Sequence, residues 1–559
     1  MIPELPEGYY LENFRYLVEF VHERYEDVLS DQELAFVSTF AGLSQDGQKA
    51  LVRLLGRRHD YVRRDKFEYQ EISDLETALN ELQEQDLVRR NDLDDGIKWL
   101  TFATKAELVD AFPETEFPGV KKSLRKGDIC LAIAEQADLD IVRQKLNFEL
   151  ISSPIGGVVE VFRLLFFGNL HQDFTDFVLH EMGVIPYEQY PLDKQGRYFK
   201  SRQVLEDTLK AYEVQAMAQL VLENESLSLA EFAQDFLLQC DVQEPALERR
   251  YSKIFNRAAR QLEREAEAEL ALVLYQKSSL APARERTARL LAGREEIPEA
   301  LRVCRQIISS PQTESEFEFA CSFSQRTAKK LEGDSPPWVP PETRDEFQTI
   351  QLTLPKVEAV GVEEATAEYF REQGAVSEHI ENGLLPGLFG LLFWEAVYAP
   401  VDGAFFHPFQ RGPADLFSDQ FVPARQELVD DALRLLHKTA ELEAKLLKTF
   451  EQKLGLANPF IMWRYLSPEL IQLALERIPA AHLEAVFRRM LRDLKENRSG
   501  FPDLVVFPES GGYELVEVKG PGDTLQANQK RWLRCFQEHS IPASVVYIFW
   551  QESSVEAAI

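Results

Sequence analysis

Leu11, Phe14, Leu17, Val18 and Val21 recur at helical spacing and predict one helix over residues 8–30. Two more helical patterns run through DQELAFVSTFAGLSQDGQKALVRLLGRRHDYVRRDKF, and DLETALNELQEQDLVRR predicts another. From about 160 to 330 the pattern is almost wholly helical, with Leu270, Leu274, Leu290, Leu291, Ala300 and Cys304 on helical spacings. The stretch GDSPPWVPPETRDEF, 333–347, puts four prolines in six positions, which forbids helix and favours an extended spacer. Beyond it GLLPGLFGLLFWEAVY reads as helix, followed by the irregular APVDGAFFHPFQRGPADLFSDQF and long helices to about Asn497. The period then changes to two. PDLVVF and YELVEVKG predict two strands joined by the turn PESGG, and the chain closes with helix TLQANQKRWLRCFQEHS and strand ASVVYIFW.

These elements group into modules. The helices up to residue 100 follow the order of a winged helix. FATKAELVDAFPETEFPGVKKSLRKGDICLAIAEQ resembles a SAP module, a small DNA-binding helical hairpin, and carries Lys121, Lys122, Arg125 and Lys126 at its turn. The helical middle resembles degenerate tetratricopeptide units, whose period is about 34 residues and whose stacking makes an extended scaffold.

A length of 559 residues implies roughly three to four domains. No apolar run approaches the about 20 residues of a membrane span, and MIPELPEGYY lacks the features of a secretory signal. Five cysteines, scattered singly with no CxxC, fit a reducing cytoplasm and argue against disulfides and zinc fingers. The net charge of −31 counts against a nucleic-acid binder. Binding depends on local patches, however, which carboxylates elsewhere mask in the sum. Arg57, Arg58, Arg63, Arg64 and Lys66 form such a patch, interleaved with Tyr61, Phe67 and Tyr69; a lone basic run of this kind is otherwise a solvated helix end. Arg249, Arg250, Lys253, Arg257, Arg260 and Arg264 can gather on one helix face, to meet phosphates or to pair with Glu263, Glu265 and Glu267.

The hairpin carries the chemistry. Asp503 opens the first strand, and Glu517 and Lys519 close the second, on the face shared with Tyr513 and Leu515. Antiparallel ends are adjacent, so two carboxylates and an ammonium meet at one corner of a buried sheet. Burying them costs several kcal/mol per ion unless each is partnered. Mg²⁺ or Mn²⁺, which take one or two carboxylates and keep waters for a phosphate, remove the difficulty. Asp503 and Glu517 would be ligands, the Val518 carbonyl a third oxygen, and Lys519 would orient water or hold developing phosphate charge. An E-x-K on its own is more often an ion pair on an exposed strand. The Pro-Asp before the first strand and the Gln-bearing helix after the second reverse that weighting.

GFPDLVVF, LVEVKGPGD with LQANQKRWL, and GLFGLLFWEAVY with PFQRGPADLFSDQF together resemble the Fanconi-anaemia-associated nuclease family. This is the VRR-NUC form of the PD-(D/E)xK nuclease core, and the resemblance spans nearly the whole chain. It implies a multidomain, mostly α protein: a helical, winged-helix-like domain at 1–100, a SAP-like DNA-binding module at 101–155, tetratricopeptide-like repeats at 156–335, a Pro-rich linker and connection at 336–370, and an α/β VRR-NUC domain at 371–559.

By resemblance Asp503, Glu517 and Lys519 fall on the catalytic positions, Gln529 on the motif glutamine and Glu381 on the upstream acidic ligand, in preference to Glu395. Glu381, Asp503, Glu517 and Val518 would hold one or two Mg²⁺ or Mn²⁺ ions. Arg488, Arg489, Arg492, Lys495 and Arg498 lead into the first strand, either as a phosphate clamp or as cations favoured near a helix C-terminus; for Arg498, beside SGFPD, phosphate contact is expected. Lys530 and Arg531 are weaker phosphate candidates, His407 is read as structural, and Asp415 as shaping the site. The resemblance implies 5′-flap cleavage of branched double-stranded DNA, 5′-to-3′ exonuclease action, 5′-phosphate products and interstrand-crosslink repair. Eukaryotic members carry a ubiquitin-binding zinc finger. No Cys/His set for one is present, so ubiquitin binding is unsupported and a bacterial, cytoplasmic relative is expected. A junction resolvase and a non-catalytic repeat scaffold are the rival readings, and oligomeric state stays open.

Overall fold

The computed structural model describes residues 8–57, 59–172, 185–240, 242, 245–330, 345–356 and 359–551. Arg58 and residues 333–344 of the proline-rich spacer lie outside the described residues. The chain divides into two compact units, one holding Met1–Val184 and Phe199–Arg202, the other Ile185–Tyr198 and Gln203–Ile559.

In the first unit the expected stripe is buried, but the helix spans Tyr9–Tyr25 and not 8–30. Ser30 begins the next helix. Its hydroxyl accepts from the Glu33 amide at 3.4 Å, while Glu33 Oε2 accepts from the Ser30 amide at 2.8 Å, a capping box that starts helix Asp31–Gly42. Helices Gln45–Leu55 and Leu75–Glu84 follow, with a small antiparallel sheet of β1 (Tyr61–Arg63), β2 (Arg89–Arg90) and β3 (Leu150–Ser152), β3 in the centre. Because β3 lies beyond the SAP-like helices, the sheet of the first module closes around the second, and residue 100 is no cut in the fold. Helices Lys105–Ala111 and Lys126–Ala134 pack with Gly96–Leu100 and Leu139–Leu146 around Trp99, Phe112, Ile129 and Ile133. Helix Gly156–Phe167 packs on Tyr9–Tyr25, with Phe166 5.1 Å from Phe20, so it belongs here and not with the repeats that were expected from residue 156.

In the second unit helices Pro245–Arg264, Ala268–Lys277, Ala283–Gly293, Ile297–Ser309 and Glu314–Ala328 each pack on the next, burying Leu274, Ala300 and Cys304. A five-stranded sheet follows, ordered β4 (Thr349–Leu354), β8 (Ala543–Trp550), β7 (Glu514–Lys519), β6 (Leu504–Phe507), β5 (Val376–His379). β8 runs parallel to β4 and β7; β6 runs antiparallel to β7 and β5. The interval 336–370, expected to be a connection, thus supplies an edge strand, β4, and helix Val362–Glu372. The alternation of TIQLTL is half-polar because an edge strand is half-solvated, and that weakens its signal. Strand alternation splits the hairpin as expected. Leu504, Val506, Val516 and Val518 pack against Ala367 of helix Val362–Glu372, whereas Val505, Phe507, Tyr513 and Leu515 join the large helical core of Phe389, Phe487 and Trp532.

Candidate active site and its relatives

Register brings the charged corner together. Leu504 pairs with Val516, so Asp503 and Glu517 stand at the open end of the ladder. Asp503 Oδ2 accepts from the Val518 amide at 2.8 Å. The N–H and C=O of a strand residue leave on the same edge, so the Val518 carbonyl also faces the Asp503 side. Glu517 is 1% exposed and Lys519 8%. Glu517 Oε1 accepts from Lys519 Nζ and from Gln529 Nε2, both at 2.6 Å. Gln529 sits at the third position of the closing helix Ala527–Glu538, where its Oε1 also accepts from the Gln526 amide at 2.9 Å in a capping box. One glutamine therefore fixes both the helix start and the carboxylate of β7.

The electrostatics are those of an anion-rich corner. Burial, then the charge of Asp503, pushes the Glu517 carboxyl up to about 7 against the pull of Lys519. Burial also raises the Asp503 carboxyl above its ordinary range, opposed by the Val518 amide. One ammonium faces two carboxylates, and among the described residues no group claims Oδ1 of Asp503 or Oε2 of Glu517. That donor set fits a hard dication, which takes one or two carboxylates and keeps waters.

Glu381 completes the corner through its backbone only. Its amide and that of Ile380 both donate to the Asp503 carbonyl, at 2.9 and 2.8 Å. The Glu381 side chain is exposed, and among the described residues no three His, Cys, Asp or Glu side chains are placed to hold a metal ion. Glu381 has φ 38°, the left-handed region, which costs a β-carbon-bearing residue about 1 kcal/mol or more. Its rival Glu395 is engaged by Lys445. Sequence reading missed Asn382, whose Oδ1 accepts from the Gly500 and Phe501 amides at 2.9 and 3.3 Å and ties the Glu381 turn to the Asp503 segment. The Asn-Gly of "ENG" was its signal, a turn pair in front of a buried helix.

Asp415 forms a two-pronged pair with buried Arg425, at 2.7 and 3.0 Å, which fixes the irregular stretch before the site. His407 is fully buried, and burial pushes its imidazole down to about 3. Arg498 is exposed and lies 4.8 Å over the ring of Phe417, itself partly exposed. Arg488 pairs with Glu484, and Arg489 with Glu314. Arg531 is enclosed by Ser315, Glu318 and Glu496, which removes it from the phosphate candidates.

In the first unit the basic set divides. Lys121, Lys122, Arg125 and Lys126 are all exposed, with Lys126 donating to the Thr101 carbonyl at 2.7 Å. Arg57 is exposed beside the Tyr69 ring, and Lys66 is exposed near Asp65. Arg64 is half-buried against Glu76. Arg63 corrects the expectation: it is 9% exposed and bonded to Asp65 and Glu107, with Phe148 beneath it, so it braces the sheet against the SAP-like helix. In the second unit Lys253, Arg257, Arg260 and Arg264 line a cleft of about 750 Å³ faced by Arg286. Glu263 pairs with Arg260 and Arg286 at 3.1 and 2.6 Å. Among the described residues no carboxylate pairs with Lys253 or Arg257. The pairing alternative is realised at Arg260 through Glu263.

Comparison with known proteins agrees with this architecture. The VRR-NUC domain family matches residues 437–550, and the family described as FAN1, HTH domain matches residues 8–89. A Fanconi-associated nuclease 1 homolog of Pseudomonas aeruginosa is 34% identical over 98% of this chain and 97% of its own length. The chain belongs to the Fanconi-associated nuclease family. Like other members of that family it is a DNA nuclease with a VRR-NUC domain, and membership implies dependence on a divalent metal ion. The human Fanconi-associated nuclease 1 is 23% identical over 97% of this chain, which spans 62% of that longer relative. Crystal structures of paFAN1 bound to 5′-flap DNA with a gap, with flaps of two nucleotides and one, match at TM-scores of 0.83 and 0.82. The first is 33% identical and covers 99% of this chain and 100% of that one.

Proposed function

We propose that this Fanconi-associated nuclease cleaves 5′-flapped duplex DNA at the corner of Asp503, Glu517, Lys519 and Gln529, leaving 5′-phosphate ends. The observation that carries the reading is the convergence of two buried carboxylates and a lysine at the open end of β6 and β7. Asp503, Glu517 and the Val518 carbonyl would hold Mg²⁺ or Mn²⁺, with Glu381 as the further acidic ligand. The ion, when bound, supplies Lewis-acid activation of water and neutralises phosphate charge. Lys519 Nζ, held at 2.6 Å by Glu517, stands where it orients the attacking water and stabilises charge on the phosphate. Gln529 keeps the Glu517 carboxylate in one rotamer. The exposed cations Arg57, Lys66, Lys121, Lys122, Arg125, Lys126 and Arg498, with Lys253 and Arg257, carry the contact to DNA backbone.

The likeness over the whole chain to paFAN1, solved with 5′-flap DNA, supports the flap substrate; 5′-to-3′ exonuclease action and a role in crosslink repair are proposed from the family resemblance alone. The test is cleavage by the purified protein with Mn²⁺ of matched 5′-flap, 3′-flap and four-way-junction substrates. Preference for the 5′ flap is expected, and symmetric junction cutting at equal or greater rate would establish the resolvase reading instead.

A further inference from the structure

The closing helix Ala527–Glu538 contributes Gln529 to the site, and two residues later it turns Arg531 toward the helical repeats. Arg531 is 11% exposed on its side chain. Its Nη1 donates to Ser315 Oγ at 3.0 Å and lies 3.5 Å from Glu318 Oε2 and 3.4 Å from Glu496 Oε2. Ser315 in turn donates to Glu496 at 2.9 Å. Three pieces of chain therefore meet at one guanidinium: the last repeat helix Glu314–Ala328, the turn at Glu496 that leads to Asp503, and the helix that carries Gln529. Arg534, one turn on, repeats the link to Glu318 at 2.5 Å and adds Asp345 at 2.6 Å.

We infer that Arg531 is a positioning residue: it anchors the Gln529 helix to the repeats and to the turn at Glu496, and so sets the geometry of Glu517 from a distance through Gln529. All three contacts fall on Nη1, which donates to Ser315 and lies within ion-pair distance of both carboxylates, so one cationic nitrogen draws the three segments together. An offset of about 1 Å in a catalytic group costs on the order of 10²-fold in rate, which makes a link this near to Gln529 matter to turnover. The inference rests on the nuclease reading of Asp503 and Glu517. It adds that the repeats, besides any contact with DNA, are a structural part of the catalytic corner.

The test is single-turnover cleavage and flap affinity of the full chain carrying Arg531→Ala, alone and with Gln529→Ala. Arg531→Ala is expected to slow cleavage about tenfold with flap Kd within about twofold of wild type, and Arg531→Lys to recover most of the rate. In the Gln529→Ala background it is expected to add no more than about twofold, because the effect passes through that amide. Full additivity, or loss of flap affinity at an unchanged rate, overturns the inference. Should thermal unfolding show that Arg531→Ala does not fold, Ser315→Ala and Glu496→Gln each remove one partner, and an unchanged rate in both overturns it equally. Undiminished cleavage by Asp503→Ala marks a different failure, that of the active-site assignment itself.

Discussion

Gln529 donates its side-chain amide to Glu517 at 2.6 Å, while its carbonyl oxygen caps the helix it belongs to. The helix after the hairpin is thereby tied to the most buried carboxylate of the sheet. The same oxygen of Glu517 takes Lys519, so this carboxylate is oriented from two sides before any ion or substrate arrives.

On the proposed assignment, removing Asp503 or Lys519 takes away a metal ligand or the group that organises the nucleophile. Asp503→Ala and Lys519→Ala are expected to reduce Mn²⁺-supported cleavage by at least about 10³-fold. Flap binding, measured by fluorescence anisotropy with Ca²⁺, is expected to survive in both. Cleavage at wild-type rate in either variant would falsify the assignment.

Glu517, raised to about 7, makes the metal-free protein sensitive to alkali. In the unfolded chain this carboxyl ionises near its ordinary value, so between that value and about 7 the folded state holds the extra proton. Its contribution is therefore full at low pH and is lost as pH rises through about 7, by on the order of 3 kcal/mol. With chelator present, Glu517→Gln is expected to match wild type in Tm near pH 5 and exceed it at pH 8. Divalent-ion binding needs the ionised form, so Ca²⁺ affinity should rise up to about pH 7 and then level. Calorimetry in buffers of different ionisation enthalpy reads the released proton.

Glu381 holds a left-handed φ that glycine adopts without strain. Glu381→Gly is expected to gain up to about 1 kcal/mol of stability and lose at least about tenfold in cleavage. Glu381→Gln keeps the strain and should lose activity without the gain in Tm. If Glu381→Gly leaves cleavage intact, this residue is a turn element and holds no metal.

Arg63 and the exposed cations separate by their response to salt. Arg63→Ala leaves Asp65 and Glu107 without their partner and is expected to cost about 2 to 3 kcal/mol of stability, discounted because both carboxylates are partly solvated. Its effect on the salt dependence of flap binding should be small. Lys121→Ala with Lys122→Ala is expected to leave Tm unchanged and to flatten log Kd against log salt by about 0.9 for each phosphate these lysines neutralise. Equal slopes for wild type and the double variant would remove this turn from the DNA-binding surface.

Much was legible in the chain itself because its signals are local. The period of two in DLVVF and YELVEVKG fixes which side chains share a face, so Glu517 and Lys519 can be placed beside Asp503 before any fold is known. The stripe of Leu11, Phe14, Leu17, Val18 and Val21 likewise states its own burial. What the tertiary structure decided were relations between distant segments. Residues 349–354 became an edge strand only because β8 offers a parallel partner nearly two hundred residues later. β3 closed the first sheet across an intervening module, and Arg63, at the end of β1, left the set of candidate DNA contacts because Glu107, on helix Lys105–Ala111, lies 2.8 Å away. Periodicity records the environment of one element, whereas the partner of a charge is chosen by packing at long sequence separation. That is why the charged corner could be read in the linear chain, while the partners of Asn382 and Arg531, on the segments that flank it, could not.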